Sequence, residues 1–145
     1  MKHFKLKIVS PEKVLFSEEV SQVSVATTTG QITILANHLP LVSTLAAGEI
    51  VIKKDSKNES VMAVAGGLVE VLDQEVVILA DRVEYATEID EERAEEAKKR
   101  AELALKEKHL DSEEFAILSA NLEKEMNRLR VARKYKMQGI RTGQN

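Results

Sequence analysis

The hydrophobic pattern changes its period once along the chain, near residue 84. Before that point apolar and polar positions alternate. Phe4, Leu6 and Ile8 are separated by Lys5 and Lys7, the period-two signature of a strand with one buried face. Further short β-rich runs lie at 23–25, 32–34, 50–52, 61–65, 68–72 and 76–80. Turn signals separate them: Ser10-Pro11, Thr29-Gly30, Asn37-His38, Ala47-Gly48, the stretch 55–58, Gly66-Gly67 and Asp73-Gln74. Short strands at this spacing predict an antiparallel sandwich or barrel, because no interleaved helices are available for a parallel sheet.

After residue 88 the period becomes helical. Ala94, Ala97, Ala101, Ala104 and Leu105 form a narrow stripe of small residues. Asp90 is placed as the N-cap, with Glu91 and Glu92 in the first turn, where the helix dipole favours anions; Lys106 and Lys108 suit the other end. The stretch 109–112 breaks the pattern. Asp111 and Glu114, in capping-box spacing, open a second helix whose apolar stripe reads Phe115, Leu118, Leu122, Met126 and Leu129. So short a connector predicts an antiparallel helical hairpin. The fold class is therefore α+β, a β-sandwich over 1–86 followed by a two-helix hairpin over 87–145 with a frayed tail from Gly139 onward. An alanine seam lets two helices approach closely but buries little area, so the hairpin is expected to be marginal on its own.

Composition narrows the function. Aromatic residues make up 3% of the chain and Trp is absent, too few for a base-stacking platform. The formal charge of -3 provides no basic field for nucleic acid. With no Cys, disulfides, thiolate metal sites and Cys nucleophiles are excluded. The N-terminal residues lack the apolar core of a signal peptide, and no run approaches the roughly 20 apolar residues of a membrane span. Membrane association is therefore expected only through a partner. The sequence has no phosphate loop, no HExxH and no GxSxG elbow, and His3, His38 and His109 lie far apart. No catalytic centre or metal site is read from it. The hairpin is split in charge: acidic residues dominate 88–114, and Lys124, Arg128, Arg130, Arg133, Lys134, Lys136 and Arg141 outweigh Glu123 and Glu125 beyond residue 121. Two solvated faces attracting each other would explain this; so would a basic end that meets an anionic ligand or an acidic protein surface.

Four segments, in order, resemble the epsilon subunit of bacterial F-type ATP synthases: 30–42 (GQITILANHLPLV), 65–71 (AGGLVEV), 76–81 (VVILAD) and 88–94 (EIDEERA) with KRAE at 99–102. Gln31, Thr33 and Ala36 depart from the Glu, Gly and Pro common in that family. The resemblance implies a non-catalytic rotor subunit of the proton-translocating enzyme, peripheral on the cytoplasmic face of the cell membrane. Its sandwich would bind the gamma subunit and the c-ring, with Gln31 and His38 on the contact loop. Its hairpin would extend into the alpha/beta catalytic hexamer and inhibit ATP hydrolysis, with Arg128, Arg130, Arg133 and Lys134 meeting the catalytic subunits. No cofactor is required. Some members bind ATP in the folded hairpin, and their motif matches at Ile89, Asp90, Arg93 and Ala94, with Glu84, Arg100 and Arg128 also on matching positions. Lys124 stands where those relatives have Arg, and an ammonium cannot repeat a guanidinium's bidentate grip on phosphate. Against this, Asp90 as a simple cap and the arginines as partners of nearby glutamates explain the same residues. A stand-alone nucleotide-binding module and a helical adaptor are the rival functions.

Overall fold

The computed structural model describes residues 2–107 and 109–141. It divides into two compact units between Tyr85 and Ala86.

The first unit is built from β1 (Phe4–Val9), β2 (Val14–Val20), β3 (Gln22–Thr27), β4 (Gly30–Leu35), β5 (Leu41–Lys53), β6 (Glu59–Val64), β7 (Gly67–Leu72), β8 (Glu75–Ala80) and β9 (Val83–Tyr85). The main order is β2-β1-β8-β7-β5-β3-β4, with β6 joining β5 to β9. Strand β5 is shared by two parts of this open path. Its first half, from Leu41 to Leu45, pairs with β7; its second half, from Gly48 to Lys53, pairs with β6, while β3 lies along its other side. Alternation along the strands sends Phe4, Leu6, Ile8, Val23, Val25, Ile50, Ile52, Val69, Val71, Val76 and Ile78 into one core. Each fully buried aliphatic side chain contributes about 1.5–3 kcal/mol.

Two expectations are corrected here. Ala47-Gly48 is not a turn but the bend inside β5. Gly48 is buried, and a Cβ there would sit 2.6 Å from the Cβ of Ala26. Glycine serves a close approach between β5 and β3, where the register slips between Val25 and Thr27. Nor are all the pairs antiparallel. Strands β1 and β8 run parallel, with Leu6 opposite Val76 and Ile8 opposite Ile78. They are remote in sequence, so the intervening strands supply the crossover and no helix is needed.

The turn after β5 is fixed by Asp55. Its Oδ1 accepts the backbone N–H of Lys57 at 2.8 Å and of Asn58 at 2.9 Å, and its Oδ2 accepts the Asn58 amide at 2.7 Å. The Lys57 N–H, then the Asn58 amide and N–H, hold this carboxyl below its ordinary value of 3.8. A depressed folded pKa means that the carboxylate's contribution is present above that ordinary value and is lost as pH falls through the folded one. We expect an NMR titration to find Asp55 ionised below pH 3.8, and Asn58→Ala to move its midpoint back upward.

The second unit starts with a 3-10 turn (Ala86–Glu88), then α1 (Glu91–Leu105) and α2 (Ser112–Arg141). Asp90 caps α1 by accepting the Arg93 N–H at 3.2 Å, and Asp111 caps α2 by accepting the Glu114 N–H at 2.8 Å. Ala94 and Ala101 are buried, with Ala97, Ala104 and Leu105 half-buried beside them, so the alanine stripe is the packing face of α1. On α2 the stripe differs from expectation. Phe115 and Met126 are 54% and 48% exposed, whereas Glu125 is only 6% exposed. The line on this face runs through half-buried Leu118 and Leu122 and buried Glu125, Leu129 and Ala132; Asn127 and Val131, off this line, are buried as well. Helix continues to Arg141 through part of the expected tail; Lys108 and residues 142–145 lie outside the described residues. Among the described residues no helix is long and apolar enough to cross a membrane.

Candidate functional site

The register of the hairpin comes from one cross-helix contact. Arg133, near the end of α2, donates to Glu95 Oε2 at 3.0 Å and lies 4.0 Å from Glu91 Oε2, both near the start of α1. The helices are therefore antiparallel, and Arg100 stands level with about Arg128. At 100° per residue, Glu91, Glu95, Lys98 and Glu102 occupy one flank of the alanine stripe and Arg93 and Arg100 the other. On α2, Met126, Arg130 and Arg133 flank the buried line on the side of Glu91 and Glu95, whereas Lys124 and Arg128 flank it on the side of Arg93 and Arg100. The hairpin has two cationic edges, and they are different edges.

The first edge collects four of the residues predicted to hold ATP. Arg93 is largely exposed, its Nε 3.7 Å from the carboxylate of the cap Asp90. Arg100 is exposed one more step along the same flank, about 10 Å farther by helix rise. Across the seam, Arg128 Nη1 donates to Glu125 Oε2 at 2.7 Å, and Lys124 Nζ lies 3.5 Å from Glu125 Oε1. The carboxylate thus carries a cation on each oxygen, which explains how an acidic side chain is buried in a thin hairpin. Ile89, just before the cap Asp90, and Ala94, in the first turn of α1, are buried. Glu84 is half-buried on β9, in the first unit, opposite Ala63.

The second edge carries the other residues. Arg130 donates to Asn127 Oδ1 at 2.6 Å. With Lys98, Arg133 and Lys134 it rims a groove of about 690 Å³ floored by Met126, Leu129 and Met137. Arg128, grouped with Arg130, Arg133 and Lys134 on the sequence, lies apart from this groove. In the first unit Gln31 is exposed on β4, and His38 is exposed between β4 and β5 with Nδ1 donating to the Leu39 carbonyl at 2.6 Å. The residue that sequence reasoning missed is Glu125. Counting charges made it a solvated counter-ion; its place one residue before Met126, on the line of Leu118 and Leu122, was the available signal.

Residues 3–86 match the family described as ATP synthase, Delta/Epsilon chain, beta-sandwich domain, and residues 87–133 match ATP synthase, Delta/Epsilon chain, long alpha-helix domain. The chain belongs to the ATP synthase delta/epsilon family. An ATP synthase epsilon chain of Caldicellulosiruptor bescii is 41% identical over 94% of this chain and 98% of its own length. One of Chloroflexus aggregans is 44% identical over 91% of this chain and 94% of its own. Among solved structures, a chain of the Euglena gracilis mitochondrial ATP synthase (OSCP/F1/c-ring) aligns with a TM-score of 0.76 over 86% of this chain and 78% of that one; at 21% identity it shares the fold. Both delta/epsilon domains are thus present in family order, and the residues of the ATP motif all lie in or beside the long-helix domain.

Proposed function

We propose that this delta/epsilon chain is a non-catalytic rotor subunit in the central stalk of an F-type ATP synthase, on the cytoplasmic face of the cell membrane. Its sandwich joins the gamma subunit to the c-ring, with Gln31 and His38 at the contact loop. Its hairpin inhibits ATP hydrolysis by extending toward the alpha/beta hexamer, and ATP holds it folded. The observation that carries this reading is the epsilon-chain match over nearly the full length, in both domains and in order. The alanine seam supports the switch, because a two-state element needs conformations only a few kcal/mol apart. The edge of Arg93, Arg100, Lys124 and Arg128 supports ATP: guanidinium and ammonium groups at spaced levels suit a triphosphate. On the other edge, Arg130, Arg133 and Lys134 would meet an acidic surface on the catalytic subunits, exchanging their partners within the hairpin for it.

Reconstitution tests it. Added to an alpha/beta/gamma complex lacking this subunit, the full chain is expected to co-purify and to lower ATP hydrolysis several-fold. A chain ending at residue 86 is expected to co-purify without inhibiting. Failure of the full chain to co-purify would overturn the assignment.

A further inference from the structure

Both α2 cations of the candidate ATP edge are already held by a side chain of the same helix. Glu125 is 6% exposed and faces the alanine stripe, with Arg128 at 2.7 Å on one oxygen and Lys124 at 3.5 Å on the other. A phosphate would present the same chemistry to the same donors: anionic oxygens about 2.7–2.9 Å from N–H groups. We propose that Glu125 is an internal competitor for the ligand, a built-in anion that Lys124 and Arg128 share and that sets the ATP concentration at which the hairpin responds. The proposal rests on the reading of this edge as an ATP site.

The geometry gives the direction. Glu125 takes Nη1 of Arg128, one of the two terminal nitrogens with which a guanidinium grips phosphate in bidentate fashion, so the ligand must displace or share it. It also cancels one of the two positive charges that α2 offers. Lys124, at 3.5 Å from the other carboxylate oxygen, is drawn toward the same anion, and its ammonium cannot repeat a guanidinium's bidentate grip on the ligand. Glutamine at 125 would keep the shape and an acceptor for Arg128 while removing the charge. Deleting one unit charge at about 6 Å from a phosphate on a partly solvated edge changes affinity about tenfold.

Calorimetric titration of the full chain with ATP tests this, comparing wild type, Glu125→Gln and Glu123→Gln, the last an exposed carboxylate on the same helix. The expected result is about tenfold tighter binding for Glu125→Gln and less than a twofold change for Glu123→Gln. Circular dichroism checks that the helices persist; should Glu125→Gln unfold them, Glu125→Asp, which withdraws the carboxylate by one methylene, is expected to tighten binding about threefold. Equal or weaker binding by the position-125 variants would make Glu125 a support for Arg128 and overturn the competitor role, while the wild-type titration keeps the ATP reading intact. Binding by Glu125→Gln alone would uphold the competitor and overturn ATP sensing by the wild type. No heat from any variant at millimolar ATP would overturn both.

Discussion

Gly67→Ala is expected to lower the melting temperature of the chain by about 20 °C, the largest loss foreseen for a single methyl group. Gly67 opens β7 at φ 144°, in the region that side-chain-bearing residues rarely adopt. It pairs with Ala80 on one side and Leu45 on the other. A Cβ added there would lie 2.1 Å from the Leu79 carbonyl oxygen and 2.9 Å from the Ala80 Cα. Both are backbone atoms of β8, so relief requires the two strands to part. Backbone strain and overpacking together are worth about 4 kcal/mol, a large share of the roughly 5–15 kcal/mol that holds a domain together. Gly30→Ala is the control: its φ is 129°, but nothing lies within 4 Å of the added carbon. It should bear the backbone strain alone, about 1 kcal/mol. Thermal unfolding followed by circular dichroism would separate the terms. Two equal melting temperatures would mean that the β7–β8 contact yields freely, against the geometry.

The same glycines show where sequence patterning stops. Alternation was sufficient for β1, β3 and β8, whose inward residues recur at every second position. It was insufficient for β2, which sends Phe16 and Val20 inward, four apart, and leaves Ser17, Glu18 and Glu19 exposed. Such a strand is paired on one side alone, to β1, and polar residues at its outer edge cost little. Gly48 misled in the opposite sense: a small-residue pair between apolar runs reads as a turn, whereas here it is the bend of one long strand shared by two parts of the sheet. The helical unit was legible in its caps and in its alanine seam. The face of α2 was not, because a stripe drawn through apolar residues selects Met126 over Glu125. Burial of a carboxylate becomes affordable only when two cations come with it, which is a property of the local cluster and not of hydropathy. The division of the basic residues into two edges depends on the Arg133–Glu95 register and could not be drawn from a charge count.

Arg100→Ala and Arg128→Ala are expected to weaken ATP binding alike yet affect the hairpin differently. Arg100 is exposed, so its removal should leave the helices intact. Losing a charge-assisted hydrogen bond to a phosphate costs about 1.5–3 kcal/mol, or a ten- to hundredfold weaker affinity. Arg128 has a second role. Its 2.7 Å bond to Glu125 satisfies one oxygen of a carboxylate that is 6% exposed, and without it that group keeps, of this pair of cations, Lys124 at 3.5 Å. Breaking a buried pair from one side typically costs about 3–5 kcal/mol; a hairpin seamed by alanine has little reserve against that. Arg128→Ala is therefore expected to lose both ATP binding and helical signal on mild heating, and Glu125→Gln in the same chain should restore the helix without restoring the ligand. Calorimetry and circular dichroism on the three proteins read the two effects independently. Unchanged ATP binding in Arg100→Ala would remove the ligand from this edge, because no other cation on α1 lies level with Arg128 on that flank. Unchanged helicity in Arg128→Ala would mean that Lys124 alone suffices to bury Glu125, and that the carboxylate does not link ligand affinity to hairpin stability.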